Sequence, residues 1–334
     1  MTSSTLIAYS NTNDTEYLSL ENSKRIKIPV NYLKNFFELI DSKKLPYKTN
    51  IVENFIKTVY STDYLNKIKK VSFDETLCDV CTFKNSTTSP VCVICGSTIS
   101  SNHKLYLDED NDTLFTTHTY DQIIESVKVL INIIEAYDSY QYYYALIRPP
   151  GHHSCQDHHE GFCIINNAYL LASNLTKYTH KNVLIFDWDL HHGNGTDELI
   201  KSNSNKNIYF ISLHGYENNF YPKTGSIESN DSQILNVPLE RNTTDTIYLN
   251  KFKEIVIPFI SNILEDIDTI IISNGLDAHQ DDPIHFMNLT EITYLEITRY
   301  FKSTNKKLIY LLEGGYNPQV ISDISHKIID ELNT

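Results

Sequence analysis

Two adjacent histidines, His152 and His153, follow a stiff Arg-Pro-Pro-Gly stretch in the segment RPPGHHS. A lone pair of histidines in a soluble protein is most often an accident of the surface, so its neighbours decide its meaning. Imidazoles titrate near neutral pH and can take up or release a proton during a reaction. Two of them on one rigid turn could act together on a single water molecule.

Residues suited to metal binding occur in two further segments. The string DWDLHHGNGT places Asp189 and His191 two residues apart, so both side chains can point the same way at a strand end, and LDAHQDDP contributes Asp277. Two carboxylates and one imidazole leave a coordination position open on zinc, as in catalytic zinc sites. Such a metal would acidify a water and polarise a carbonyl. The sequence therefore predicts a hydrolytic metal centre beside the two histidines.

Three other residues could assist this chemistry. Asp187 and Asn194 lie in the same loop as the predicted metal ligands and could fix the tautomers of the two histidines. Tyr316 follows two glycines that permit close backbone approach, and its hydroxyl could donate to a developing oxyanion. Each feature alone also has an ordinary explanation, because Asp after a strand is commonly a helix N-cap and Gly-Gly is commonly a turn.

The segments between these residues predict an α/β chain. Short apolar runs are typical of buried parallel strands, and longer stretches with helical spacing lie between them, which indicates a parallel sheet flanked by helices. Ligands bind beyond the carboxyl ends of such strands, and five predicted strands end in RPPGHH, DWDLHHGNGT, His214, LDAHQDDP and EGGYNP. The predicted strands are 5–10, 143–149, 182–187, 207–213, 268–274 and 307–313, and the predicted helices include 120–137, 166–178 and 248–267.

Composition restricts the partners. The 334 residues include 28 Lys and Arg against 42 Asp and Glu, and the resulting net charge of −14 disfavours direct nucleic-acid binding and suits a cationic partner. A charged-then-apolar leader is missing from the sequence, and so is an apolar run of the roughly 18 residues that a membrane span requires. We therefore expect an intracellular protein, cytoplasmic or nuclear and not secreted, without a membrane partner.

A cysteine-rich stretch interrupts the α/β pattern. Its spacing is C-x2-C-x10-C-x2-C, formed by Cys78, Cys81, Cys92 and Cys95. Four thiolates so spaced can enclose one structural zinc ion, whose binding free energy would fold a segment too short to have a core. We predict a small zinc finger at 74–98 inserted in a catalytic domain at 1–334, with two redox or disulfide pairs as the alternative.

Together, RPPGHH, DWDxHHGNGT, GxDAHxxDP and LEGGYN resemble the motifs of the histone deacetylase and acetylpolyamine amidohydrolase superfamily, which has an arginase-like α/β fold. The resemblance spans about residues 105–320. The motifs look like those of the class II branch of this family. Asn194 stands where class I enzymes carry Asp, and Glu313 stands where class I enzymes carry Gly. The resemblance implies zinc-dependent removal of acetyl or longer acyl groups from lysine side chains of proteins, by attack of metal-activated water.

The resemblance also implies roles for individual residues. The matching positions are Asp189, His191 and Asp277 for the zinc ligands, His152 and His153 for the general base and acid, with Asp187 and Asn194 beside them, and Tyr316 for the oxyanion donor. The acyl-lysine tunnel would be lined by Gly161, Phe162 and Tyr221, with Ile284 near its mouth. A potassium site would be formed by Asp187 and Ser212 with the backbone of Asp189, His191 and Leu213.

Some positions depart from the family pattern and bear on substrate choice. The N-terminal entrance segment, 21–30, does not match the usual motif, and Lys223 replaces a customary glycine. Acetylpolyamines are an alternative substrate class. However, polyamine-selective eukaryotic members carry a carboxylate where this chain has Ile284, which favours acetylated lysine proteins or peptides. An inactive scaffold recruited through its finger is a third reading, but it predicts loss of metal or proton-transfer residues, and all of them are present.

The cysteine-rich stretch is similar to the NZF zinc fingers, which share its CTFxN and CxxCG strings. Thr82, Phe83 and Ile94 match positions with which ubiquitin-binding members contact ubiquitin, so the resemblance implies ubiquitin as a partner. Thr76 replaces the usual leading tryptophan of that family. RNA-binding members depend on arginines that this stretch does not contain.

Overall fold

The computed structural model describes residues 5–11, 20–74, 76–77, 80, 84–85, 91–97, 105–106, 113–115, 118–203 and 205–334. The strands in these ranges are β1 (Thr5–Tyr9), β2 (Ile40–Asp41), β3 (Thr76–Leu77), β4 (Lys84–Asn85), β5 (Leu105–Tyr106), β6 (Leu114–Phe115), β7 (Tyr142–Leu146), β8 (Asn182–Asp187), β9 (Ile208–Gly215), β10 (Ile234–Leu239), β11 (Ile267–Asn274) and β12 (Lys307–Leu312). The helices are α1 (Lys24–Leu33), α2 (Thr49–Ile56), α3 (Thr62–Asp74), α4 (Thr119–Glu135), α5 (Asn167–Thr179), α6 (Asn194–Ser202), α7 (Asp245–Lys251), α8 (Ile257–Ile263), α9 (Glu291–Ser303) and α10 (Pro318–Asn333).

Eight of the described strands form one sheet in the order β10-β9-β8-β11-β12-β7-β1-β2. Every neighbouring pair is parallel. Parallel neighbours need crossover connections, and the helices supply them, so all carboxyl ends of the strands meet at one edge. The predicted parallel sheet flanked by helices is confirmed.

The sheet is buried on both faces. Along β8, Leu184 and Phe186 pack into one apolar cluster and Val183 and Ile185 into the other, as the two-residue period of a strand requires. Burial on both sides explains why the strands read as unbroken apolar runs. None of the helices in the described part of the chain is long and apolar enough to cross a membrane.

The structure confirms all six predicted strands and corrects some boundaries. β7 ends at Leu146, before the prolines that cannot donate to a neighbouring strand. The helix predicted at 248–267 is interrupted by a π-helical turn, Phe252–Val256, and resumes with Pro258 in its first turn. The edge strands β2 and β10 were not predicted. β10 carries Asn and Pro inside its apolar run, and β2 is only two residues long.

The predicted finger is only partly inside the described residues. β3 and β4 pair as a short antiparallel hairpin, and residues 93–95 form a turn closed by a bond of 2.9 Å from the Gly96 N–H to the Cys92 carbonyl. Ile94 on this turn is 64% exposed. Cys78, Cys81, Thr82 and Phe83 lie outside the described residues. The four-thiolate site and its partner surface therefore stay predictions.

Candidate metal centre and active site

The three predicted metal ligands come together at the carboxyl end of the sheet. Asp189 follows β8 and Asp277 follows β11, and these strands are direct neighbours. His191 Nδ1 lies 3.0 Å from Asp277 Oδ2 and 3.3 Å from Asp189 Oδ1. One candidate ligand atom from each residue lies within 4.8 Å of the other two. The arrangement brings two carboxylates and one imidazole to a single point.

The surroundings of this cluster fit a divalent cation. Asp189 and Asp277 are both buried, and Asp277 Oδ2 faces His191 Nδ1. Burial, followed by the charge of Asp189, raises the pKa of Asp277. Two buried carboxylates side by side repel each other unless a positive charge lies between them. The donor set of oxygen and nitrogen suits zinc with an open position.

Two glycines make room for the carboxylates. A Cβ on Gly275 would lie 2.1 Å from Asp189 Oδ2, and a Cβ on Gly314 would lie 2.4 Å from the same oxygen and 2.5 Å from Asp277 Oδ2. The Gly314 N–H donates to Asp189 Oδ2 at 2.7 Å. Asp277 is held in the same way by the Leu190 N–H, at 2.9 Å. The backbone therefore fixes each carboxylate and leaves no space for a side chain at either glycine.

The two histidines lie beside the cluster, each with the predicted partner. His152 Nδ1 is 3.0 Å from Asp187 Oδ2, and His153 Nδ1 is 2.7 Å from Asn194 Oδ1. The two rings are 4.0 Å apart between centroids. Glu313 fixes the turn that carries them, because its Oε2 accepts from the N–H groups of Gly151 and His152. The sequence had used Glu313 only as a mark of the class II branch.

The environment separates the two histidines in basicity. Burial disfavours the imidazolium of His152, but the carboxylates of Asp189 and Asp187 outweigh it and raise its pKa to about 10. Burial, together with the charges of His152 and His191, lowers the pKa of His153 well below its usual value. Adjacent groups whose pKa values are driven apart are suited to opposite roles in proton transfer.

Glu160 extends the hydrogen-bonded series that begins with His153 and Asn194. The sequence analysis did not identify it. The Asn194 amide donates to Glu160 Oε1 while its oxygen faces His153. Glu160 and Cys163 exchange backbone hydrogen bonds of 3.2 and 2.8 Å across a tight turn. This turn therefore fixes the backbone from which the Glu160 side chain reaches Asn194. Nothing in the spacing of Glu160 signalled this contact.

Tyr316 is held on three sides. Its N–H donates to Asp282 Oδ2 at 2.6 Å, the Arg25 guanidinium lies 5.1 Å from its ring centroid, and the Phe162 ring is 6.0 Å away. Burial and the nearby Asp277 raise the pKa of the Tyr316 hydroxyl well above its usual value, even though Arg25 opposes this. The hydroxyl thus keeps its proton and can donate it in a hydrogen bond.

Arg25 and Glu21 belong to the site although segment 21–30 did not match the family pattern. Arg25 Nε donates to the Gly315 carbonyl at 2.5 Å, and its Nη2 donates to the Glu313 carbonyl. Glu21 accepts from Arg25 Nη1 and from Arg148 Nε, each at 2.9 Å. Two buried arginines and a largely buried glutamate therefore connect segment 21–30 to the strand-end turns.

Two of the predicted tunnel residues, Gly161 and Tyr221, lie against His153. A Cβ on Gly161 would lie 2.4 Å from His153 Cδ2 and 2.7 Å from the Tyr221 hydroxyl, and the His153 and Tyr221 rings meet edge to face at 5.0 Å. Phe162 has a φ of 65°, a left-handed backbone that glycine normally adopts. Phe220, which the sequence did not single out, stacks on His191 at 5.3 Å.

Lys223 and Ile284, the two positions that bear on substrate choice, differ in their backbone conformation and contacts. Lys223 has a φ of 68°, so a residue with a Cβ occupies a conformation in which the customary glycine would be free of strain. Ile284 is half-buried against the core, and its N–H donates to Asp282 Oδ1 at 3.1 Å. Because Asp282 also holds Tyr316, Ile284 lies on the loop beside the predicted oxyanion donor.

The residues of the predicted potassium site are neighbours in the sheet. Asp187 pairs with Ser212 across β8 and β9, and Leu213 follows. Asp187 Oδ1 accepts from the Asp189 N–H at 3.0 Å, and the Ser212 hydroxyl lies 2.9 Å from His214 Nδ1. His214 therefore contacts this group and not the metal cluster.

Comparison with known proteins gives one consistent family. The family model described as a histone deacetylase domain matches residues 19–332. Histone deacetylase 15 of Arabidopsis thaliana is 38% identical over 197 residues, covering 57% of this chain and 35% of that protein. An uncharacterized protein of Synechocystis is 32% identical over 212 residues, covering 62% of this chain and 68% of its own length.

Solved structures agree with this result. The crystal structure of the HDA15 HD domain superposes with a TM-score of 0.78 at 25% identity, covering 99% of this chain and 88% of that one. An acetylpolyamine aminohydrolase from Burkholderia pseudomallei gives a TM-score of 0.78 at 20% identity, with 98% of both chains covered. The second match supports the fold alone. The chain spans about a third of the length of the Arabidopsis deacetylase.

Proposed function

Because the chain belongs to the histone deacetylase family, we propose that it is a zinc-dependent amidohydrolase that removes acetyl or longer acyl groups from lysine side chains of proteins. The observation that carries this proposal is the convergence of Asp189, His191 and Asp277 beside two histidines whose rings are oriented by Asp187 and Asn194. Acetylated proteins or peptides inside the cell are the partners that we expect.

The protein groups around the cluster can perform each proton movement. Zinc held by the two aspartates and His191 would supply Lewis-acid activation of water and of the amide carbonyl. One histidine of the pair would accept the proton of the attacking water, and the other would give a proton to the lysine leaving group. Asp187 and Asn194 hold the two rings in position for these steps. Tyr316 would donate its hydroxyl to the developing oxyanion.

The tunnel and the potassium site complete the proposal. Phe162 and Tyr221 would hold the methylene stem of an acyl-lysine between flat aromatic surfaces. Gly161 keeps the passage beside His153 clear, because a methyl group there would contact both walls of the site. Asp187, Ser212 and Leu213 would bind potassium near His152.

Ile284 is the residue on which we base the choice of lysine over polyamine. It is apolar and half-buried on the loop that holds Tyr316, so it offers no charge to the second ammonium group of a polyamine. The net charge of −14 suits either cationic substrate and does not separate them. The proposal therefore depends on local contacts near the mouth of the site.

Parallel turnover of an acetyl-lysine peptide and of acetylspermidine tests this choice. We expect wild-type protein to prefer the peptide, and Ile284→Glu to shift the ratio of kcat/KM toward acetylspermidine, because a carboxylate attracts the second amine. Ile292→Glu, which changes an exposed residue on α9, is the matched control and should leave the ratio unchanged. A wild-type preference for acetylspermidine would refute the lysine proposal.

We also propose that the inserted segment 74–98 is a zinc finger for ubiquitin. The exposed Ile94 on the Cys92–Cys95 turn supports a recognition surface. Thr82 and Phe83 lie outside the described residues and enter through the sequence resemblance alone. In a ubiquitin titration, Thr82→Ala with Phe83→Ala should abolish binding and leave turnover of a short peptide unchanged. Wild-type protein that does not bind ubiquitin would exclude this role.

A further inference from the structure

Cys155, His158 and Glu198 form a second group of metal-binding side chains, separate from the cluster described above. One candidate ligand atom from each of the three residues lies within 4.8 Å of the other two. Cys155 and His158 lie on the loop between β7 and α5, and Glu198 lies on α6. The group therefore joins two elements that reach the active site separately.

The local backbone brings these side chains together. The Cys155 N–H donates to the His158 carbonyl at 3.1 Å, which closes a turn with the C-x-x-H spacing. Glu198 is four residues after Asn194 and so lies on the same face of α6, the face toward the catalytic loop. Gly195 lets this helix approach closely, because a Cβ there would be 2.6 Å from the His153 carbonyl oxygen. Loop and helix are thus held at a fixed separation.

Burial and charge at the cluster resemble those of a metal-binding site open to solvent. Cys155 is 1% exposed, whereas His158 and Glu198 are exposed. Burial and the Glu198 carboxylate raise the pKa of the Cys155 thiol, which donates to the His153 carbonyl at 3.7 Å. A divalent cation that replaces this proton would form a metal–sulfur bond and release one proton to solvent. The exposed side of the cluster gives such an ion a path of entry.

We propose that Cys155, His158 and Glu198 bind a divalent transition-metal ion, for which Zn²⁺ has the best matched ligand preferences. One thiolate, one imidazole and one carboxylate are all common zinc ligands, and three of them leave a fourth position for water. The bound ion would tie the loop that carries His153 to the helix that carries its partner, Asn194. It is a clamp on the catalytic loop, and it does not depend on the proposed substrate.

A cobalt titration of the full-length protein, dialysed beforehand to remove weakly bound zinc from solvent-exposed sites, tests this site. A thiolate bound to Co²⁺ gives a charge-transfer absorption in the near ultraviolet. The proposed catalytic cluster has no sulfur, and the finger cysteines are the same in every variant. Cys155→Ser should therefore lose the absorption that wild-type protein gains on cobalt addition. His158→Ala and Glu198→Gln should each weaken cobalt binding by at least about 10- to 100-fold, the range seen when only a partner of a metal ligand is lost.

The cobalt titration has a matched control variant and an outcome that would contradict the proposed site. His180→Asn removes an exposed histidine whose left-handed backbone, with a φ of 58°, suits asparagine, and it should bind cobalt like the wild type. Circular dichroism reports whether each variant is folded. His158 and Glu198 are exposed, so their variants remain informative if Cys155→Ser does not fold. Equal cobalt affinity in wild-type, His158→Ala and Glu198→Gln proteins would overturn the proposal. Because the readout is absorption, a lack of deacetylase activity would not affect the result.

Discussion

Replacing Glu21 with Gln should destabilise the fold more than any exposed charge change. Glu21 lies between two buried arginines, Arg25 at 0% and Arg148 at 4% exposure, and accepts from both through bonds of 2.9 Å. Gln keeps the shape but removes the only negative charge among these three side chains. Breaking a buried ion pair by neutralising one partner costs about 3–5 kcal/mol, because the remaining charge is left buried.

The expected loss of folding free energy in Glu21→Gln can be expressed as a decrease in Tm. Unfolding entropy of about 2.1 cal/mol/K per residue gives roughly 0.7 kcal/mol/K for 334 residues. A loss of about 3–5 kcal/mol therefore lowers Tm by roughly 4–7 °C. Differential scanning calorimetry at pH 7 measures the shift directly. Glu217→Gln is the matched control, since the Glu217–Arg241 pair is exposed, at 38% and 47%, and is worth less than about 1 kcal/mol.

The difference in Tm between wild-type and Glu21→Gln proteins should also depend on pH. The two arginines outweigh burial and lower the pKa of Glu21. A carboxyl group whose folded pKa is lowered contributes stability that is complete above its unfolded pKa, about 4.3, and is lost as pH falls through the folded pKa. The Tm gap between wild-type and Glu21→Gln proteins should thus be largest at neutral pH and shrink in acid. A gap below 1 °C at pH 7, or one equal to that of Glu217→Gln, would refute the reasoning.

Tyr316→Phe keeps the ring and deletes the hydroxyl proposed as the oxyanion donor, so kcat should fall roughly a hundred- to thousand-fold, or about 2.7–4 kcal/mol; a change of only a few-fold would exclude this role. Asp189→Asn should abolish turnover and lower the zinc content by elemental analysis, because a charged ligand is lost; full zinc content in this variant would exclude it as a ligand. Gly161→Ala should lower kcat/KM about a hundredfold, because its methyl group displaces His153 or Tyr221 by an amount on the order of 1 Å. Unchanged kinetics there would mean that the passage beside His153 is wider than the structure shows.

The sequence predicted the strand ends, and which side chains meet there, because both follow local rules. Apolar runs mark buried strands, and in a parallel sheet their carboxyl ends meet, so Asp189 and Asp277 could be placed together without knowing the strand order. The edge strand β10 was missed because its run contains Asn236 and Pro238, which mask the apolar signal.

The contacts that the sequence could not supply depend on long-range packing. Arg25 lies 290 positions from the Gly315 carbonyl that it contacts, and no periodic pattern marks such a pair. Glu160 reaches Asn194 only because a tight turn folds back on the start of α6. Gly275 could be read as a turn, although its role is to leave space for the Asp189 carboxylate. Such roles appear only when two distant segments are placed in contact.

The metal cluster also has a consequence for the order of folding events. The hydrogen bond between Leu190 and Asp277 joins residues 87 positions apart and requires β8 and β11 to be paired. Parallel pairing across a long crossover forms late, because the entropy of loop closure must be overcome first. We therefore expect the proposed zinc ion to bind after the rate-limiting step of folding. It should slow unfolding and leave the refolding rate unchanged, so the occupied site would set the lifetime of the native state.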